Sequence, residues 1–231
     1  MLLVPFLAGM LLATPSPWHA VLVFAWLVGY LAAHHAQQWL RLRRNSRNPR
    51  AATRHTLPAA VFTAALLPPG VALVVHAPWL LVAAVGALPF AAVNCWYAWR
   101  NQERSLVNGL AAVVPACGML PVAALLGDGS WGQVWRPTLA CLLYFAGTVP
   151  YVKTMIRERD SDAYRWASWL YHAGALVVAV VLSPWLAVFF GACLVRAVVM
   201  PVLGRVRIAV VGAVEVVLSL SLLAVLVPVY G

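Results

Sequence analysis

The chain has 231 residues, of which 64% are hydrophobic and 10% charged, and it carries a net charge of +10. Soluble domains hold about 25% charged residues, and a soluble core of this length has no room for so much apolar surface, so the composition excludes a water-soluble globule and points to lipid as the solvent. The basic residues lie between apolar runs, which assigns them to membrane topology rather than to nucleic acid, and the 11 Trp suit the two bilayer interfaces.

Nine apolar segments follow in chain order: 2–14, 18–40, 56–75, 78–99, 106–126, 136–156, 164–182, 184–203 and 208–229. A spanning helix takes about 20 apolar residues, so the first is too short to cross comfortably. Pro15 and Pro17, Pro68 and Pro69, Pro78, "GDGSWG" at 127–132 and Pro184 mark the breaks. No soluble module fits between the segments, and the reading is one all-α transmembrane domain, 1–231, a polytopic bundle of about nine helices. Cys95, Cys117, Cys141 and Cys193 each sit inside an apolar run and read as small buried hydrophobes.

The charges orient the chain. With the N-terminus cytoplasmic, loops at 41–55, 100–105, 153–165 and 196–207 face inward and collect 15 of the 16 basic residues; Arg136 is the exception. The expected location is a membrane crossed several times, with these loops on the cytoplasmic side. The Arg run 41–54 reads as a topology anchor that also touches anionic lipid.

Several polar residues lie within the helices. Counted at about 1.5 Å per residue from the nearest basic residue, His34, His35, Asn94, Asn108, His172, Arg196 and Glu215 fall roughly 6–14 Å below the inner surface. Arg196 was counted from Arg205. Arg165, Ser168 and His172 share one helix face, as do Glu215 and Ser219. These positions predict a polar pocket near the cytoplasmic mouth. The stretch "YVKTMIRERDSDAYR", residues 151–165, forms its rim with seven of the 22 charged residues. Acids contribute little to topology, yet three of the six acids are here, which favours a ligand site. A charge inside a spanning helix costs about 3 kcal/mol, so Arg196 and Glu215 need partners, and pairing with each other is the simplest solution.

The blocks "MLLVPFLAGMLL", "NQERSLVNGLAAVV" and "YFAGTVPYVKTMIRERDSDAYRWASWLYH" resemble the YwiC-like family of bacterial integral membrane proteins over nearly the whole chain. Family members carry a His-Gly-Ala-Trp block before the first of these, which would lengthen helix one and which suggests a late start here. Val107-Asn108-Gly109 stands where the family has Asn-Asp. More distantly, the plan is similar to that of UbiA-type prenyltransferases, nine-helix enzymes whose two Asp-rich motifs hold magnesium on an isoprenyl diphosphate at the cytoplasmic face. "KTMIRERDSD" resembles their second motif, which makes Glu158, Asp160 and Asp162 the metal ligands that this resemblance implies. The first motif is replaced by "HHAQQWLRLRR", which has no carboxylate.

The combined expectation is a cytoplasm-facing pocket for an isoprenoid-type or other amphipathic anionic ligand. Arg104, Asn108, Lys153, Arg157 and Arg196 would bind the ligand, since guanidinium pairs bidentately with phosphate oxygens. His34, His172 and Glu215 would handle protons, and Mg2+ is the cofactor that the acids suggest. Beside this stand a noncatalytic membrane assembly protein, a small transporter using Glu215, Arg196 and His172, and a haem protein ligated by His34 and His172. Substrate, reaction and oligomeric state are not written in the sequence.

Overall fold

The computed structural model describes residues 2–48, 50–204 and 206–231. Among them every regular element is helical: α1 (Val4–Leu11), α2 (Pro17–Asn45), α3 (Arg50–Thr53), α4 (Thr56–His76), α5 (Leu80–Trp99), α6 (Leu106–Leu126), α7 (Trp131–Ile156), α8 (Asp162–Leu182), α9 (Pro184–Val202) and α10 (Ile208–Tyr230). Eight are long and apolar enough to cross a membrane once α3 is joined to α4. The protein is therefore an all-helical, multi-pass membrane protein, because only a closed set of backbone hydrogen bonds survives in hydrocarbon. Arg205 lies outside the described residues, so the depth of Arg196 as counted from it has no structural counterpart.

The helices obey local rules. α2 opens on a capping box in which the Ser16 backbone N–H donates to His19 Nδ1 at 3.0 Å, with Pro17 in the first turn. α7 begins five residues before the expected 136, because Ser130 and Gln133 form a second capping box and start the helix ahead of Arg136. α8 starts on Ser161, whose hydroxyl accepts the Tyr164 N–H at 3.4 Å, with Asp162 favourably placed in the first turn. The expected break at Pro68–Pro69 does not occur: both prolines lie inside α4. Prolines are tolerated in a spanning helix because neighbours and local adjustment re-satisfy the freed carbonyls.

The chain forms two compact units. Unit 1 comprises residues 1–13 and 116–231, and so holds α1, the second half of α6, and α7–α10. Here α7 packs on α8, α9 and α10, and α8 on α9. Tyr151 and Met155 of α7, Ala197 of α9 and Val211 of α10 form a buried apolar cluster, with Ile156, Trp169 and Met200 against it. Unit 2 comprises residues 14–115, in which α2 packs on α4 and α5.

Candidate polar site in unit 1

α7 presents Tyr144, Gly147 and Tyr151 at i, i+3 and i+7, so the three share a face. Tyr144 and Tyr151 are buried. Gly147 allows the closest approach: a Cβ there would lie 2.9 Å from Tyr171 Cε1 and 3.3 Å from His172 Nε2. α8 is thereby drawn in, and Tyr171 Oη donates to the Leu143 carbonyl at 3.0 Å.

His172 is buried, and its ring is held on both sides. Nδ1 lies 2.7 Å from the Ser168 carbonyl oxygen, which can only accept. Nδ1 therefore carries the proton, and Nε2 accepts from Arg196 at 3.1 Å. Arg196 of α9 is buried, ion-pairs with Glu215 of α10, and places its guanidinium 4.0 Å from the Tyr151 ring centroid. Tyr144 Oη completes the network at 3.2 Å from the Glu215 carbonyl oxygen, 3.4 Å from its carboxylate and 3.3 Å from Ser219 Oγ. A guanidinium stacked on one aromatic face while two nitrogens engage a carboxylate and an imidazole is held in a fixed pose. Arg196 Nε, Tyr151 Oη and Ser168 Oγ are buried there without a hydrogen-bond partner among the described residues.

The network sits below the turn joining α7 to α8. Tyr151 lies five residues from the end of α7 and Ser168 six from the start of α8, which is about 7 to 9 Å along the axes. The apolar cluster of Met155, Ala197 and Val211 accompanies it. In the turn itself the cations divide. Arg165 ion-pairs with Asp162, and the Arg159 Nε donates to the Met155 carbonyl. Among the described residues Lys153 and Arg157 have no carboxylate partner; Lys153 lies 5.3 Å from the Tyr164 ring centroid, and Arg157 is exposed.

The structure thus brings together His172, Arg196 and Glu215 of the predicted residues. The remaining ones stand elsewhere. Glu158 and Asp160 lie in the turn and Asp162 opens α8, and no group of three or more His, Cys, Asp or Glu among the described residues is arranged to hold a metal ion. His34 belongs to unit 2, where its ring meets His35 edge-on at 5.4 Å; His35 in turn places Nδ1 3.0 Å from His55 Nδ1. Asn108 braces the α5–α6 turn by donating to the Glu103 carbonyl at 2.7 Å, and Asn94 donates to the Phe90 carbonyl of its own helix at 2.9 Å. Arg104 is exposed in that turn without a carboxylate partner among the described residues. Tyr144, Gly147 and Tyr151 escaped the sequence reading as members of the site. Their spacing on one helix face was the available signal, and aromatic residues at helical spacing look like ordinary core.

The family model for YwiC-like proteins matches residues 1–124. A Bacillus subtilis (strain 168) protein described as uncharacterized protein YwiC is 33% identical over 193 residues, covering 83% of this chain and 74% of its own length. A Haemophilus influenzae (strain Rd) protein described only as uncharacterized is 30% identical over 224 residues, covering 93% of this chain and 88% of its own. No solved structure matches the chain.

Proposed function

The chain belongs to the YwiC-like family, and from that premise we propose that it binds an amphipathic anionic ligand of isoprenoid type at the basic end of unit 1. The observation that carries this reading is the division of the cations. Arg165 and Arg196 are neutralised by Asp162 and Glu215, whereas Lys153 and Arg157, within one helical turn of each other, have no carboxylate partner among the described residues. An anionic head would be held by these two, and the partly buried apolar side chains of Ile156, Trp169 and Met200 would receive the tail. The buried network then acts as the rigid base of the site. The Ser168 carbonyl and Arg196 fix the His172 ring, the Nε2 lone pair being taken up by the guanidinium N–H, and Glu215 keeps the guanidinium in place.

The resemblance of "KTMIRERDSD" to the second acidic motif of UbiA-type prenyltransferases supports an isoprenyl diphosphate as the ligand class. Magnesium would neutralise such a head group if Glu158, Asp160 and Asp162 gathered around it. In this structure Asp162 is turned onto Arg165.

The test is binding of farnesyl diphosphate to the purified protein in detergent, with and without magnesium. Lys153→Ala plus Arg157→Ala should weaken binding at least tenfold, since each charge near the head group contributes about 1 kcal/mol. Unchanged affinity in that variant overturns the reading. Binding that needs magnesium and disappears in Asp160→Asn plus Asp162→Asn would extend it to prenyl transfer. A small transporter is the second reading, favoured by the Glu215–Arg196–His172 chain inside the membrane. Proton uptake by reconstituted vesicles that is abolished in Glu215→Gln, with no farnesyl diphosphate binding, would select it.

A further inference from the structure

Unit 2 carries a second cationic feature that the proposed ligand site does not use. The C-terminal ends of α2 and α5 meet there. Asn45, the last residue of α2, donates through Nδ2 to the carbonyl of Trp99, the last residue of α5, at 3.2 Å. Arg41 donates to Glu103 at 2.8 Å, so the acid of the α5–α6 turn is consumed. Three further arginines at this end are placed against indoles. The Arg44 guanidinium lies 4.1 Å from the Trp99 ring centroid, Arg100 lies 5.6 Å from Trp96, and Arg43 lies 4.8 Å from Trp39. The Trp96 and Trp99 rings are themselves 5.2 Å apart, so Arg44 and Arg100 share one aromatic couple. Among the described residues Arg43, Arg44 and Arg100 have no ion-pair partner.

Stacking decides what these arginines can still do. An indole covers a face of the guanidinium, while the N–H donors lie in its plane and point outward from the edge. An arginine placed over an indole in this way keeps edge donors available for phosphate. The two negative helix C-termini hold the arginines at this end without neutralising them. Below the pair, α5 exposes Val82 and Val85 on the same side as Trp96, with Val82 at 75% and Val85 at 62% exposure. A charged edge above an apolar stripe about 20 Å long matches a molecule with an anionic head and long chains. Free phosphate has no use for the stripe, and nucleic acid has none either.

We propose that Arg44 and Arg100, each placed over an indole of the Trp96–Trp99 couple, form a specific binding site for the phosphate of an anionic phospholipid whose acyl chains lie along α5. It uses none of the residues of the ligand site proposed in unit 1. It narrows the general attraction of an Arg run for anionic lipid to two side chains on two helices, one of which, Arg100, lies outside that run.

The experiment is native mass spectrometry of the full chain released from detergent micelles containing phosphatidylglycerol or phosphatidylcholine in equal amount. The wild type should retain phosphatidylglycerol in preference to phosphatidylcholine. Arg44→Gln and Arg100→Gln should each lower that retention about fivefold, and the pair together by more than tenfold. Arg44→Lys keeps the charge but loses the planar fork, and should fall between wild type and Arg44→Gln. Arg136→Gln is the control, since Arg136 also stacks on a tryptophan, 5.3 Å from Trp135, but without a second arginine beside it. The proposal fails if the double variant retains phosphatidylglycerol as the wild type does. It fails equally if Arg136→Gln loses as much, or if free inorganic phosphate competes the lipid away at the same concentration in wild type and double variant. Trp99→Phe, which keeps an aromatic face, provides a folded comparison should the glutamine variants not survive extraction; it should retain more lipid than Trp99→Ala.

Discussion

At the scale of single residues, the decisive quantity is the cost of an unpaired charge in a water-free interior. Arg196 and Glu215 keep only 5% and 17% of their side-chain surface exposed, so neither is rescued by solvent. Interhelical hydrogen bonds in membranes average about 0.6 kcal/mol, whereas removing one partner of a buried ion pair costs about 3–5 kcal/mol. The charge therefore outweighs the hydrogen bonds. Arg196→Ala and Glu215→Ala should each lower unfolding stability in detergent by about 3 kcal/mol or more, while Arg196→Met plus Glu215→Leu should cost less than either alone. Additive losses in the double variant would show that the pair is not energetically coupled. Gly147 is the second such residue. Gly147→Ala puts a methyl group against Tyr171 and His172, and overpacking of this kind costs about 1–3 kcal/mol. Its signature should be the same loss of stability with the Arg196–Glu215 coupling partly erased, because His172 is moved off Arg196.

At the scale of elements, α1 shows how a helix too short to span is held. Eight residues give about 12 Å of length. Within unit 1, Val4, Phe6 and Ala8 are buried, and Gly9 lies so close to α6 that a Cβ there would sit 2.9 Å from the Leu120 carbonyl carbon and 3.0 Å from Ala123 Cβ. Small residues allow backbones to approach where lipid supplies no hydrophobic drive. Gly9→Leu should detach α1, with hydrogen exchange in residues 4–11 rising well above wild type while α7–α10 stay protected. Unchanged protection in α1 would contradict the close-packing account. Most helices were legible because an apolar run bounded by charge has one reading in a bilayer. α2 ran on to Asn45 rather than stopping at residue 40, since arginines continue a helix well at its C-terminal end. The pairing of Arg196 with Glu215 was also legible: two neighbouring helices each carry one buried charge of opposite sign. What could not be read was position around the bundle. Counting from a charged loop gives depth only, so His34 and His172 looked alike, although one is exposed in unit 2 and the other buried in unit 1. The tyrosines on α7 stayed hidden because their hydroxyl roles depend on which helices they face.

At the scale of the whole molecule, the distribution of charge should set orientation. Counted along the chain, the turns at 46–48, 100–105 and 157–161 follow every second crossing, and 12 of the 16 basic residues lie in or near them; the turn at 127–130 follows an intervening crossing and carries the acid Asp128. Basic residues in short loops resist translocation, whereas acids contribute little, so the basic turns should remain cytoplasmic. The chain's own thiols interfere little, because Cys117, Cys141 and Cys193 are buried and Cys95 is half-buried within α5. Single cysteines at three turns then read the topology. In intact cells a membrane-impermeant maleimide should label Asp128→Cys, and it should reach Ser46→Cys and Asp160→Cys only after permeabilisation. The Lys153–Arg157 ligand site and the Arg44–Arg100 lipid site both presuppose this arrangement, because soluble isoprenyl diphosphates and the strongest attraction for basic residues belong to the cytoplasmic side. Labelling of Ser46→Cys from outside would invert the molecule and remove the physical basis for both sites at once, whereas labelling of Asp160→Cys alone would displace only the first.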